Sequence, residues 1–252
     1  MTALEFRRIF DTIPEAFDRW RPRYTPAACE AIIASASLSP GKAMLELGPG
    51  TGQATEPFLR TGCDYLGIEL GEHLAAVARE KFRRYPNFQL ICGDFLTQDF
   101  GAARFDLILS AATIQWLPEE PAYRKCLALL NPGGALAMMR LQGDYRTPNP
   151  ALYEAIQQVY AVHFHPKTPY TRRFGYQNAP AYGFAGTETL TFPATRVYSA
   201  DDYVAYLHTH CDHLTLRDPD RTAFFSGIRD AIQRRGGKIV FLDNIVVDLA
   251  RK

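Results

Sequence analysis

Through its first 142 residues the chain alternates short apolar runs with amphipathic stretches. The apolar runs are Ala43 to Leu47 (AMLEL), Asp64 to Glu69 (DYLGIE), Phe88 to Ile91 (FQLI), Phe105 to Ser110 (FDLILS) and Ala135 to Leu141 (ALAMMRL). Between the second and third runs, Leu74, Val77, Ala78 and Phe82 recur at helical spacing within 72–84. Such alternation predicts βαβ units and a parallel sheet covered by helices. The strand segments are continuous apolar runs rather than in-out alternations, which fits burial on both faces, a doubly wound α/β arrangement.

The last third breaks this rhythm. Ser199 with Asp202 three residues on is a capping-box pattern and predicts a helix from Ser199 through about Leu214. Asp218-Pro219 predicts the start of another, with Phe225, Ile228 and Ile232 on one face and Gly236-Gly237 at its end. Lys238 to Ala250 reads as a long strand, and a strand near Glu188 to Val197 can pair with it antiparallel. Residues 143–185 hold six of the thirteen tyrosines and five of the seventeen prolines. They read either as a surface excursion with packed aromatics or as a lid and acceptor-pocket wall, since long insertions in compact domains are usually functional.

Composition narrows the class. A chain of 252 residues with 47% hydrophobic and 22% charged residues is large and apolar enough for a single α/β core, which excludes global disorder. A formal net charge of +1 argues against a surface that tracks phosphates. No apolar run approaches the roughly 18 residues of a membrane span, and MTALEFRRIFDTIPEAF has no signal-like apolar stretch. Cys29, Cys63, Cys92, Cys126 and Cys211 are scattered, without C-x-x-C pairs, so they read as reduced thiols of a cytoplasmic protein.

The most informative stretch is Leu45-Glu46-Leu47-Gly48-Pro49-Gly50-Thr51-Gly52, directly after a predicted strand. Glycines at 48, 50 and 52 permit a sharp turn that brings main-chain N–H groups to a ligand. Glu69, at the next strand tip, can accept hydrogen bonds from both hydroxyls of a ribose. A dinucleotide fingerprint requires glycine at 53, where Gln53 stands, and no G-K-[ST] follows for a Walker loop. Glu46, two residues before the first glycine, suits a ligand with a cationic amino group better than a pyrophosphate.

The pattern E-x-G-x-G-x-G resembles the first motif of the class I S-adenosylmethionine-dependent methyltransferases. The resemblance extends to Glu69 as ribose-binding acid, with Leu70 beside it, to Asp94 as the contact of the adenine amino group, and to Phe95 as the apolar neighbour of adenine. Ser110 and the segment through Trp116 stand where that family has its active-site loop, and Asn131 to Gly134 match the turn before its fifth strand. Phe17-Asp18-Arg19-Trp20-Arg21-Pro22-Arg23-Tyr24 resembles the segment that small-molecule members, including trans-aconitate methyltransferase-like proteins, fold over the cofactor.

The resemblance implies a Rossmann-like, seven-stranded, mostly parallel sheet with an antiparallel C-terminal strand and a helical lid insertion. It implies one methyltransferase domain over 1–252, divided into an N-terminal helical cap (1–40), a cofactor core (41–142), a lid or acceptor insertion (143–185) and C-terminal helices with a β-hairpin (186–252). Its cofactor set is Glu46, Gly48, Gly50, Gly52, Glu69, Leu70, Asp94, Phe95, Ser110, Arg21 and Tyr24, around S-adenosyl-L-methionine. The candidate acceptor residues are Gln115, Trp116, Tyr170 and Arg172. Glu69 and Asp94 read alternatively as solvated strand-end acids, Trp116 as core, and Arg21 and Tyr24 as a helix-boundary cap. Arg140, Arg172 and Arg173 can clamp a carboxylate or lie in solvent.

Methyl transfer from a sulfonium needs alignment, exclusion of water and, for some acceptors, a base. Trp116 and Tyr24 are candidates to face the sulfonium charge. Five of the six histidines follow residue 160. On a helix through Leu214, His210 falls within the apolar stripe of Tyr203, Leu207 and Leu214, His213 flanks it and His208 diverges. His210 and His213 are therefore the base candidates, against core histidines satisfied by carbonyls. The divergence of His208 speaks against a metal site with His210, Cys211 and His213. The expected partner is a small-molecule acceptor, with no nucleic acid and no membrane, and the chain is expected to be a monomer or homodimer. An RNA methyltransferase, and a non-catalytic protein that binds the cofactor, are the alternatives; no N-P-P-[YF] signature follows the fourth strand.

Overall fold

A computed structural model describes residues 6–171 and 173–252 of the chain. The strands are β1 (Ala43–Leu47), β2 (Asp64–Glu69), β3 (Phe88–Cys92), β4 (Phe105–Ala111), β5 (Leu130–Asp144), β6 (Thr187–Ser199) and β7 (Lys238–Arg251). They form one seven-stranded sheet in the order β3-β2-β1-β4-β5-β7-β6. β1 is parallel to both neighbours, Leu45 facing Leu66 on β2 and Ile108 on β4. β3 and β5 extend the parallel set outward. The C-terminal strands are antiparallel: just past β7, Lys252 donates its amide to Gly134 O at 3.0 Å and accepts the Gly133 amide at 3.3 Å. The order reverses between β1 and β4, the switch point at which open α/β sheets bind ligands beyond their carboxyl ends.

The α-helices are α1 (Pro14–Trp20), α2 (Pro26–Ser35), α3 (Thr55–Leu59), α4 (Glu72–Phe82), α5 (Glu119–Leu129), α6 (Pro150–His163), α7 (Ala200–Leu207) and α8 (Asp220–Gln233). The chain separates into two compact units, each assembled from several segments. The larger unit comprises residues 22–141, 173–192 and 245–252. Its strand residues sort by parity into two clusters. Met44, Leu107, Leu109, Ala137 and Met139 pack with α2, α3 and α4 on one face. Leu45, Leu47, Ile108, Leu136 and Met138 pack with α5 on the other. Alternate Cβ atoms point to opposite faces of a sheet, so unbroken apolar runs are required when both faces are covered. The turn expected at 131–134 interrupts the β5 ladder: Phe105 pairs with Leu130, and Leu107 next pairs with Ala135.

The second unit holds residues up to Arg21, 142–171 and 193–244. Ile156 on α6, Leu207 on α7 and Phe224, Ile228 and Ile232 on α8 are buried in one cluster, with Ile239 of β7. Gly227 lets α6 and α8 approach, because a Cβ there would lie 3.0 Å from Val159 Cγ1. The capping box forms as expected, Ser199 Oγ accepting the Asp202 amide at 3.1 Å.

The helix it opens, however, ends at Leu207, not near Leu214. After Tyr206 the backbone bonds become i−3: Thr209 N to Tyr206 O at 2.9 Å and His210 N to Leu207 O at 3.0 Å. Thr209 Oγ1 also donates to Tyr206 O at 2.6 Å, competing for the carbonyl that a continuing helix would use. A separate 3₁₀ turn follows at His213–Thr215, its start fixed by the Asp212 carboxylate. His210 and His213 are therefore not placed by one helical face.

Candidate functional site

In the larger unit, β1, β2, β3 and β4 end at Leu47, Glu69, Cys92 and Ala111, and as parallel neighbours they present these ends on one edge of the sheet. Gly48, Gly50 and Gly52 all have positive φ (58°, 61° and 90°), which makes the turn after β1 tight. Two of them also permit close packing. A Cβ on Gly48 would lie 2.5 Å from Thr113 Cγ2, and one on Gly52 would lie 2.2 Å from Phe82 Cε2. The turn is tied to both neighbouring strands, by Gly48 N to Ile68 O at 2.8 Å and by Thr113 Oγ1 to Gly48 O at 3.0 Å.

Glu69 is 7% exposed and bridges two turns. Its Oε2 accepts the Gly50 amide at 2.8 Å and its Oε1 the Gly71 amide at 2.9 Å. A carboxylate has about four acceptor sites, so two amides leave capacity for two hydroxyls. The intervening Leu70 is half-buried.

Glu46 is placed differently. It is 1% exposed, and its Oε2 accepts Tyr65 OH at 2.7 Å and Thr55 Oγ1 at 2.8 Å. Burial pushes its carboxyl up to about 7, against the two hydroxyls that favour its ionised form. Asp94 is half-buried past β3, where Oδ1 accepts the Leu96 amide at 3.0 Å. Phe95 is buried, 6.1 Å from Phe100 and with Lys125 Nζ 5.2 Å from its centroid.

Ser110, 1% exposed, accepts the Ile114 amide at 2.8 Å and shapes the loop after β4. In that loop Ala112 has φ 54°, a left-handed conformation that costs a non-glycine residue about 1–2 kcal/mol. Ala112 is held there by its amide on Met139 O at 2.8 Å. Strain of this kind concentrates at functional sites. Gln115 donates to Ala112 O at 2.9 Å and accepts Tyr176 OH at 3.1 Å, and Trp116 beside it is half-buried. Tyr24 belongs to this unit and packs against the first of its core clusters.

Other predicted residues lie in the second unit. Arg21 donates to Thr209 O, and its guanidinium lies 5.2 Å and 5.4 Å from the rings of Phe10 and Phe17. Tyr170 is half-buried there, and Arg172 lies outside the described residues. His213 is 5% exposed, with Nδ1 2.8 Å from Asp212 Oδ1 and Nε2 2.9 Å from Tyr160 OH. With Asp212 ionised, Nδ1–H donates to it and Nε2 accepts the tyrosine proton. Burial pushes the Asp212 carboxyl up, but His213 outweighs it and holds it below its usual value. His210 lies 5.1 Å from His213 and edge-on to Tyr206 at 4.6 Å. Burial first, then Arg21, His213 and Arg196, drive its pKa well below the usual imidazole value. His208 stacks on Phe225 at 3.7 Å. Among the described residues no three His, Cys, Asp or Glu side chains converge as metal ligands.

Several residues that build the turn were not foreseen: Thr113 on Gly48, Lys81 Nζ on Thr51 O at 2.6 Å, and Tyr65 and Thr55 on Glu46. Each acts from a distant point of the chain and carries no local motif.

Residues 45–138 match a family model described as a methyltransferase domain. A 65-residue stretch is 42% identical to the ribosomal RNA small subunit methyltransferase A of Dehalococcoides mccartyi strain CBDB1, covering 26% of this chain and 22% of that protein. The chain thus spans about a fifth of the length of the curated relative it matches. The fold is similar to the YcgJ protein of Bacillus subtilis, with a TM-score of 0.60, 12% identity and coverage of 90% and 99% of the two chains. It is also similar to the Haemonchus contortus phospholethanolamine N-methyltransferase 2, solved with phosphomonomethylethanolamine and S-adenosylhomocysteine. That likeness has a TM-score of 0.55, 15% identity and coverage of 98% and 60%. The chain carries a class I S-adenosylmethionine-dependent methyltransferase domain, and S-adenosylmethionine is the cofactor of that family.

Proposed function

We propose that this methyltransferase domain transfers the methyl group of S-adenosylmethionine to a small-molecule acceptor. The observation that carries the reading is the Glu69 carboxylate, fixed by the Gly50 and Gly71 amides at the sheet's switch point. The residues present fit the cofactor. The Gly48 turn keeps its inner side free of side chains, and Glu69 retains acceptor capacity for ribose hydroxyls. When bound, the cofactor supplies a methyl group activated on a sulfonium.

The chain's own residues bind and orient. Glu69 takes the ribose, with Leu70 beside it. Asp94 and Phe95 serve the adenine, and the amides of Gly48, Gly50 and Gly52 border the methionine part. Glu46 and Ser110 act from behind, Glu46 by bracing β1 against α3 and Ser110 by fixing the loop that carries Gln115 and Trp116. Arg21 and Tyr24 complete the cofactor set, and Tyr170 and Arg172 the acceptor set. Of the two histidines, His210 is the better proton acceptor, because both ring nitrogens of His213 are engaged by Asp212 and Tyr160. Its depressed pKa keeps the imidazole neutral near pH 7.

The net charge of +1 supports a small acceptor over RNA. The short match to the ribosomal RNA enzyme lies in the cofactor-binding half and supports the RNA reading only as far as a shared donor site. Incubation with methyl-labelled cofactor and a panel of small acids, phenols, amines and RNA tests the assignment. Label in a small product is expected. Label partitioning with RNA favours the alternative, and cofactor binding without transfer to any acceptor favours a non-catalytic role.

A further inference from the structure

A cleft of about 410 Å³ opens on the helix side of the glycine turn, walled by α3 through Glu56 and Pro57 and by α4 through Lys81 and Phe82, with Tyr24 and Tyr85 across it. Gly48, Gly50, Glu69 and Asp94 do not line it, so it is separate from the crevice at the strand tips. Its volume is within the roughly 300–1,000 Å³ range of small-molecule sites.

Its charge is one-sided. Lys81 Nζ donates to Thr51 O at 2.6 Å, and Arg23 Nη1 to Gly52 O at 3.5 Å, so consecutive carbonyls of the turn hold two cations at the cleft. The acid of the lining, Glu56, is already met by Arg60 Nη2 at 2.8 Å and by Tyr85 OH at 2.9 Å. The hydrogen bonds of Arg60 and Tyr85 hold its carboxyl below the usual range. Arg23, Arg60 and Lys81 therefore surround a single compensated carboxylate, and the aromatic faces of Tyr24, Phe82 and Tyr85 supply flat apolar walls. Phe82 packs directly on the turn because residue 52 carries no Cβ.

We infer that this cleft is a second ligand site, for a small planar organic anion such as an aryl phosphate, held by Lys81 and Arg23 and stacked against the tyrosines. Charge-assisted hydrogen bonds to a phosphate from a guanidinium and an ammonium supply the polar half of the recognition. Ring stacking supplies the apolar half. The assignment does not depend on which acceptor the methyltransferase domain serves.

An amide-resolved NMR titration of the full chain with phenyl phosphate, compared with inorganic phosphate, tests it. Phenyl phosphate is expected to shift the Gly52, Gln53 and Tyr85 amides saturably while those of Glu69 and Gly71 stay in place. Lys81→Gln and Arg23→Gln, folded with unchanged thermal midpoints, are each expected to bind about tenfold more weakly, the loss of one charge-assisted hydrogen bond. No saturable shift, shifts centred on Gly48 and Gly71, or unchanged affinity in both variants would overturn the site. Inorganic phosphate binding as tightly as phenyl phosphate would overturn the planar-ring assignment.

Discussion

The Oε2 of Glu69 accepts the Gly50 amide at 2.8 Å, which fastens the tip of β2 to the turn that follows β1. With Oε1 on the Gly71 amide, one buried side chain fixes the two turns that border the switch point. Glu69→Ala would leave both amides without their acceptor. It is expected to lower unfolding stability by about 1–3 kcal/mol, read by urea denaturation, before any ligand is added. An unchanged midpoint would show that the bridge is not formed in solution.

Gly52 combines φ 90° with a Phe82 ring where a Cβ would sit. Gly52→Ala is expected to destabilise by about 1–3 kcal/mol through left-handed strain and displacement of the ring. Phe82→Leu in the same chain is expected to relieve the clash but not the strain, so the double variant should lose less than the two single losses added together. Strict additivity in denaturation would contradict the contact.

The Glu46 carboxyl is raised by burial to about 7, from a reference value of 4.5. Between these values the folded chain holds a proton that the unfolded chain has released, so stability falls as pH rises from about 4.5 to 7 and the penalty is constant above that. The penalty amounts to up to about 3 kcal/mol. Glu46→Gln is expected to lack this part of the pH dependence. Parallel urea curves at pH 5 and pH 8 check it, and an equal slope in wild type and variant would contradict the assignment.

Asp248 on β7 is fully buried and accepts Arg140 of β5, Gln177, and Thr189 Oγ1 at 2.7 Å. Arg140 in turn lies 4.2 Å from the ring centroid of Tyr176. Asp248→Ala strands the partly buried guanidinium and is expected to cost about 3–5 kcal/mol. Asp248→Leu with Arg140→Met is expected to recover most of that loss. Thermal denaturation of the two variants distinguishes a buried pair from a surface one.

The sheet was legible because its signal is local. Met44 and Leu45 enter opposite cores, and so do Leu107 and Ile108, so both faces demand apolar residues and the strands appear as unbroken runs. The strand tips were legible for the same reason, since Gly48 and Glu69 each follow directly on such a run. What the tips hold was not. Thr113 reaches Gly48 across 65 residues and Arg140 meets Asp248 across 108, pairings set by sheet register rather than by any spacing in the chain. The histidines were misplaced for a local reason: Thr209 turns its hydroxyl onto the Tyr206 carbonyl and ends the helix that was to carry them.

Calorimetric titration with S-adenosylhomocysteine tests the central claim most directly. One equivalent is expected to bind the wild-type chain, and Glu69→Ala, provided it remains folded, to bind it about 1–3 kcal/mol more weakly through loss of the ribose hydrogen bonds. No binding to the wild type, or the same affinity in the variant, would contradict the assignment of this crevice as the cofactor site.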